Sequence, residues 1–276
     1  MSQYDANVTW VRPRSDYRLP LSVHVRDFAK WVNFQVRPRV RPDLQRFLIF
    51  GVGRSGSTVL ATLLDSHPAV NCRNELLRMH RRFPIAYLER RAGKSPPEAA
   101  AFGFHLKPWH ITRVLQRDPI AFVKTLDRLG YRFVHLVREN LFLKELSVTK
   151  LHAHGVIHAK TEERVPKSAF EVDTEFLLNQ MRSGLAFEKL ELACLEAVGQ
   201  DHPTVVYERD LLRQEAHEAT CARIFEFLDL APHPVSSPLR KVSPRNWRHG
   251  VKNADEVAEA VERAGYGDYV RQADAL

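Results

Sequence analysis

Residues 47–68, FLIFGVGRSGSTVLATLLDSHP, join an apolar run, a glycine-rich turn and a helical pattern. The turn is Gly51-Val52-Gly53-Arg54-Ser55-Gly56-Ser57-Thr58. Glycine lets a backbone bend tightly around an anion. Free amides at a helix N-terminus, reinforced by the helix dipole, can hold that anion. The hydroxyls of Ser55, Ser57 and Thr58 add donors, and Arg54 adds a planar cationic fork. Such a set suits a phosphate or a sulfate. A nucleoside triphosphatase loop, GxxxxGK[ST], would need lysine at position 57, where Ser57 stands. The cation has instead moved into the loop, to Arg54. A glycine-rich turn without a ligand is the plainer alternative.

A second anion site is read from YRFVHLVRE (131–139), a strand pattern that ends at Arg138. Ser147 follows nine positions later, about two turns into the next helix. A strand-end arginine and a helix hydroxyl can clamp one phosphate from two sides. The competing reading of Arg138 is an ordinary surface ion pair.

Both candidates need a scaffold. Strand patterns occur at 47–53, 103–107, 131–139 and, with a turn, 204–212. Helical periodicity occurs at 21–34, 56–66, 74–91, between 107 and 131, from Leu141 onward, and at 173–198, 219–230 and 254–265. Asn74 reads as the N-cap of the third of these helices. RPRVRP (37–42) reads as a linker, 155–171 as a hydrophilic loop and 232–253 as a basic loop rich in proline and serine. Strands alternating with helices predict an α/β fold, a P-loop-like parallel sheet flanked by helices. Right-handed crossovers place the strand C-termini on one ligand-binding edge. The expected organisation is a basic N-terminal extension (1–45) and a single domain (46–276).

Composition narrows the ligand class. The chain has 276 residues, 41 Lys or Arg against 33 Asp or Glu, and a formal charge of +8. That excess favours nucleic acid, an anionic membrane or a phosphorylated small molecule. No helix-turn-helix, zinc or RNP pattern stands out, so no nucleic-acid partner is expected. Cys72, Cys194 and Cys221 are odd in number and lack CxxC or Cys/His spacing, so neither a disulfide framework nor a metal site is expected. No apolar leader core and no run near ~20 apolar residues is seen, so a soluble, cytoplasmic protein is expected.

GVGRSGSTVLATLLDSHPAVNCRNE resembles the 5′-phosphosulfate-binding loop of sulfotransferases, above all the tyrosylprotein branch and the bacterial carbohydrate enzymes. Their loop core is Pro-Arg-Ser-Gly-Thr-Thr, followed by a helix, a His-Pro pair and an acidic residue. This chain departs with Gly53 and Ser57. The segment from Arg138 to Ser147 is similar to their 3′-phosphate site, with the one-residue-longer spacing of the bacterial branch. VVYERDLL, including Tyr207, resembles a Tyr-Glu-x-Leu turn of the family. RKVSPRNWRHGVKN resembles the basic loop that closes over the nucleotide and carries Lys241, Arg245 and Arg248.

The resemblance spans roughly 47–270 and implies a set of roles. The donor is 3′-phosphoadenosine 5′-phosphosulfate (PAPS), with no metal. Glu75 is the implied general base, at a pKa raised by partial burial; its alternative is an acid favoured in the first turn of a helix. Arg54 and Lys107 are the implied cations on the leaving phosphate; Lys107 reads equally well as a strand-end lysine. His67 is expected to cap or pack beneath the loop. The acceptor is a hydroxyl, first a sugar of a surface glycan or glycolipid, with tyrosine or a small metabolite as alternatives. A bacterial enzyme acting on a soluble or membrane-surface substrate fits the lack of an anchor pattern. A P-loop kinase or ATPase and a catalytically inactive scaffold are the rival classes.

Overall fold

The computed structural model describes residues 21–36, 41–154, 168–237 and 246–275. The described residues divide into two units: 21–137 with 187–237 carry the sheet, and those of 138–186 with 246–275 are mainly helical.

In the sheet unit five parallel strands lie in the order β2-β3-β1-β4-β5. They are β1 (Gln45–Phe50), β2 (Val70–Arg73), β3 (Ala101–Leu106), β4 (Tyr131–Val137) and β5 (Thr204–Val206). The run Phe47-Leu48-Ile49-Phe50 is fully buried, as a central strand covered on both faces must be. Phe50 lies opposite Leu106 of β3 and His135 of β4, so three strands finish on one edge. Phe47, Ile49, Val134, Leu136 and Val205 point to one face and pack with α2 (Ser57–Asp65) and α7 (His217–Phe227). The other face meets α3 (Pro84–Ala92), where the Tyr131 hydroxyl donates to Glu89 at 3.0 Å. It also meets the C-terminal half of α6 (Thr174–Val198), where His135 Nε2 lies 2.6 Å from Glu191. α1 (Leu21–Val36) packs beside α3, with Trp31 stacked on Phe83 at 4.7 Å. The expected α/β parallel sheet flanked by helices is present.

Several boundaries differ from the sequence reading. Residues 74–83 are not helical, and α3 begins only at Pro84. A proline fits the first turn of a helix but disfavours the helical conformation in the residue before it. Asn74 is therefore not an N-cap, and Glu75 stands on a loop, which removes the helix-start explanation for it. Between β3 and β4 the chain makes a single wide turn, His110–Val114, and then α4 (Pro119–Arg128). The Asp118 side chain caps α4 by accepting from the Ala121 amide at 2.7 Å. β5 stops at Val206, and Tyr207–Leu211 form another wide turn. β2 was not foreseen.

The helical unit contains α5 (Leu141–Ala153), the N-terminal half of α6, α8 (Ala254–Arg263) and α9 (Gly267–Asp274). Leu141, Phe142, Met181, Trp247, Val257 and Val270 form its core. Asn140 caps α5 through the Leu143 amide at 2.8 Å and donates to the Tyr269 carbonyl at 2.8 Å. α9 was also not foreseen.

Candidate active site

The turn between β1 and α2 departs from ordinary backbone at two residues. Gly56 has φ 86° and Arg54 has φ 64°. The first is natural for glycine. The second places an arginine in the left-handed region, a local cost of ~1–3 kcal/mol that tends to mark functional turns. Gly51 passes so close to β4 that an added Cβ would lie 2.2 Å from the Leu136 carbonyl oxygen. No side chain caps α2. The Ser55 hydroxyl is buried and donates back to the Val52 carbonyl at 3.1 Å. Ser57 is buried at the start of α2, whereas Thr58 is exposed. The Tyr207 ring covers Gly56, where a Cβ would approach it to 2.6 Å.

Lys107 extends from the end of β3 towards this turn. A Cβ on Gly53 would lie 3.4 Å from its Nζ. The same ammonium sits 2.5 Å from Glu75 Oε1 and 5.2 Å from the centre of the Trp109 ring. One cation thus lies beside the glycine-rich turn and the carboxylate at once. The structure brings Gly53, Lys107 and Glu75 together, on three different segments of the sheet unit.

Two buried histidines complete the cluster. The Lys107 amide donates to His110 Nδ1 at 3.2 Å, which leaves the proton on Nε2. That atom faces Glu75 Oε2 at 3.4 Å. His105 Nε2 donates to the Gly51 carbonyl at 3.2 Å, and its Nδ1 lies 3.9 Å from Glu75 Oε1. Burial pushes His105 down to about 3 and His110 down to about 4, each helped by the Lys107 charge. Both imidazoles are neutral at physiological pH.

The Glu75 carboxyl departs from expectation. Burial alone would push it up, but the His110 hydrogen bond and the Lys107 charge outweigh burial and hold it well below the usual carboxylate range. It is ionised across the neutral range. Its side chain remains 28% exposed, so a ligand can reach it.

His67 lies away from this chemistry. Its Nδ1 accepts from the Ala69 amide at 3.0 Å, its Nε2 donates to the Ala231 carbonyl at 3.1 Å, and its ring packs on Phe225. Arg138 directly follows β4 and Ser147 lies in α5, both in the helical unit. Arg248 pairs there with Asp274 and Asp255, each at 3.0 Å. Lys241 and Arg245 lie outside the described residues. Among the described residues no His, Cys, Asp and Glu cluster is arranged to hold a metal ion, and no helix is long and apolar enough to cross a membrane. His110 and Trp109 were missed as site residues. The clue was the short turn Lys107-Pro108-Trp109-His110, closed by the His110 amide on the Lys107 carbonyl at 3.0 Å.

Residues 46–129 match the model of the sulfotransferase family. That stretch carries the turn, Glu75, Lys107 and His110. No curated protein matches the chain. A solved structure of a sulfotransferase from Alicyclobacillus acidocaldarius aligns with 86% of this chain and 95% of its own, at 14% identity and a TM-score of 0.51. The chain therefore has the α/β fold seen in that sulfotransferase, and the segment bearing the clustered residues carries that family's sequence pattern.

Proposed function

We propose that this protein is a sulfotransferase that moves a sulfuryl group from PAPS to a hydroxyl, with a sugar of a surface glycan or glycolipid as the first acceptor class. The observation that carries the reading is Lys107, held between Gly53 of the anion cradle and the Glu75 carboxylate. An acidic donor needs the cradle, and a hydroxyl acceptor needs the carboxylate. The 5′-phosphosulfate of PAPS is assigned to the start of α2, with Arg54 within the turn and Lys107 beside it; the 3′-phosphate is assigned, through resemblance alone, to Arg138 and Ser147.

When bound, PAPS supplies the sulfuryl group and a phosphate leaving group. Glu75 accepts the acceptor hydroxyl's proton as the oxygen–sulfur bond forms. Arg54 and Lys107 neutralise the charge that collects on the leaving oxygen as the old sulfur–oxygen bond breaks. The Glu75–Lys107 pair supports both jobs. Once Lys107 turns to an anion, Glu75 keeps its burial and loses its strongest cation, so its proton affinity rises when a base is needed. His110 holds the carboxylate by Oε2 meanwhile.

The test is ligand-induced stabilisation followed by transfer. Adenosine 3′,5′-bisphosphate should raise the melting temperature well beyond ATP, which lacks the 3′-phosphate. Labelled sulfate should then pass from PAPS to cell-envelope glycans in preference to small phenols. Equal stabilisation by ATP would favour a P-loop kinase or ATPase and remove the PAPS reading.

A further inference from the structure

We propose that α1 and the neighbouring segment 74–94 form a docking surface for membranes rich in anionic lipid. The first observation is an apolar stripe. Leu21, Val25, Phe28 and Val32 are 78%, 62%, 48% and 40% exposed. Their spacing of four, three and four residues puts them along one side of the helix. They are four of the six large exposed hydrophobic residues among those described. The flank of α1 next to the stripe is occupied: Trp31 stacks on Phe83, Phe28 lies 6.2 Å from the same Phe83 ring, and His24 meets His80 edge to face at 5.9 Å.

The second observation is charge. Segment 74–94 contains six basic residues, Arg78, Arg81, Arg82, Arg90, Arg91 and Lys94, and two acids. Both acids are neutralised by groups outside the segment. Glu75 pairs with Lys107, and Glu89 takes Arg46 at 3.2 Å and the Tyr131 hydroxyl. Arg81 and Arg90 lie over the Tyr87 ring at 4.5 and 5.5 Å, and Arg82 over Phe83 at 5.7 Å. The segment therefore presents cations on an aromatic bed beside the stripe, with its own acids withdrawn.

Apolar side chains that enter the acyl boundary, flanked by cations that take lipid phosphates, make an interfacial binding surface. The same spacing could serve as a short two-helix seam. Pairing two copies through α1 would bring two basic surfaces together, whereas an anionic bilayer neutralises them. Charge complementarity selects the membrane.

The experiment is co-sedimentation of the full chain with phosphatidylcholine vesicles, with and without phosphatidylglycerol. Binding to the anionic vesicles should fall by roughly tenfold or more in Val25→Ser/Phe28→Ser, since each exposed side chain adds to insertion. Arg82→Gln/Lys94→Gln should lower it by about thirtyfold and reduce its salt dependence, since each cation at an anionic surface is worth about fivefold. The second pair lies outside α1 and reads the proposal even if the first variant loosens that helix. Absence of binding to anionic vesicles would overturn it, as would equal binding by all three proteins. So would stripe-dependent self-association in sedimentation velocity without vesicle binding, which would assign α1 to a second copy.

Discussion

Among the described residues of the sheet unit two glutamates meet an imidazole, and they differ in what surrounds them. Glu191 lies on α6 against His135 of β4 at 2.6 Å, with side chains 4% and 9% exposed. Glu75 lies on a loop against His110 and Lys107, with 28% of its side chain open. The first pair is sealed between a helix and the sheet, where no substrate atom can arrive. The second stands at the end of β3, beside a turn with uncapped amides, and shares its lysine with that turn. A carboxylate–imidazole contact is thus no sign of a reaction by itself. Access and a neighbouring glycine-rich turn are what single out Glu75, rather than Glu191, as the proposed base.

That contrast can be broken most directly at the two glutamates. Glu75→Gln should lower kcat by ~10²–10⁴, the usual worth of a positioned base, with adenosine 3′,5′-bisphosphate affinity almost unchanged. Glu191→Gln should leave kcat of the folded enzyme near normal and cost ~1–3 kcal/mol in denaturant melts, through a weakened buried hydrogen bond. Reversed outcomes would exchange the two roles.

Lys107→Met sharpens the comparison, because it removes the cation that Glu75 shares with the turn. Turnover should fall by ~10²–10³ through lost stabilisation of the leaving oxygen. Removing the charge also lets the Glu75 carboxyl rise, so the acidic limb of the pH–rate profile should move to higher pH. An unmoved limb would mean that Lys107 does not tune Glu75.

A smaller effect is expected in the helical unit. Arg138→Ala should weaken adenosine 3′,5′-bisphosphate by about tenfold or more, from ~1.5–3 kcal/mol of charge-assisted contact. Adenosine 5′-phosphosulfate binding should barely change. Calorimetry showing equal losses for both ligands would make Arg138 structural.

A last effect is on acid stability rather than on activity. His110 is held down to about 4, while an unfolded histidine titrates near ~6.5. Between those values the unfolded chain binds the proton and the folded one does not. Stability therefore falls as pH drops through that window, by up to ~1.4 kcal/mol per pH unit for this group. His110→Gln should flatten the stability curve there by about that slope. An unchanged slope in urea melts at several pH values would show that His110 is protonated in the folded state.

Local sequence was enough for the β1 turn and the parallel sheet. Four consecutive apolar residues, three glycines and a helical repeat carry their own geometry, because strand burial, positive φ and periodicity are properties of neighbours along the chain. Through resemblance it also put Glu75 and Lys107 forward as candidates. It misplaced the start of α3, since the apolar repeat from Asn74 looks helical until Pro84 is given its due. It did not disclose β2, a four-residue strand stabilised by pairing with β3. Nor did it disclose His110, whose relation to Glu75 spans 35 positions. The ionisation of Glu75 was decided by tertiary structure alone. Burial, legible as a tendency in the sequence, would have raised its pKa; the lysine and histidine that reverse the sign come from a different strand end, and only the folded sheet brings them within reach.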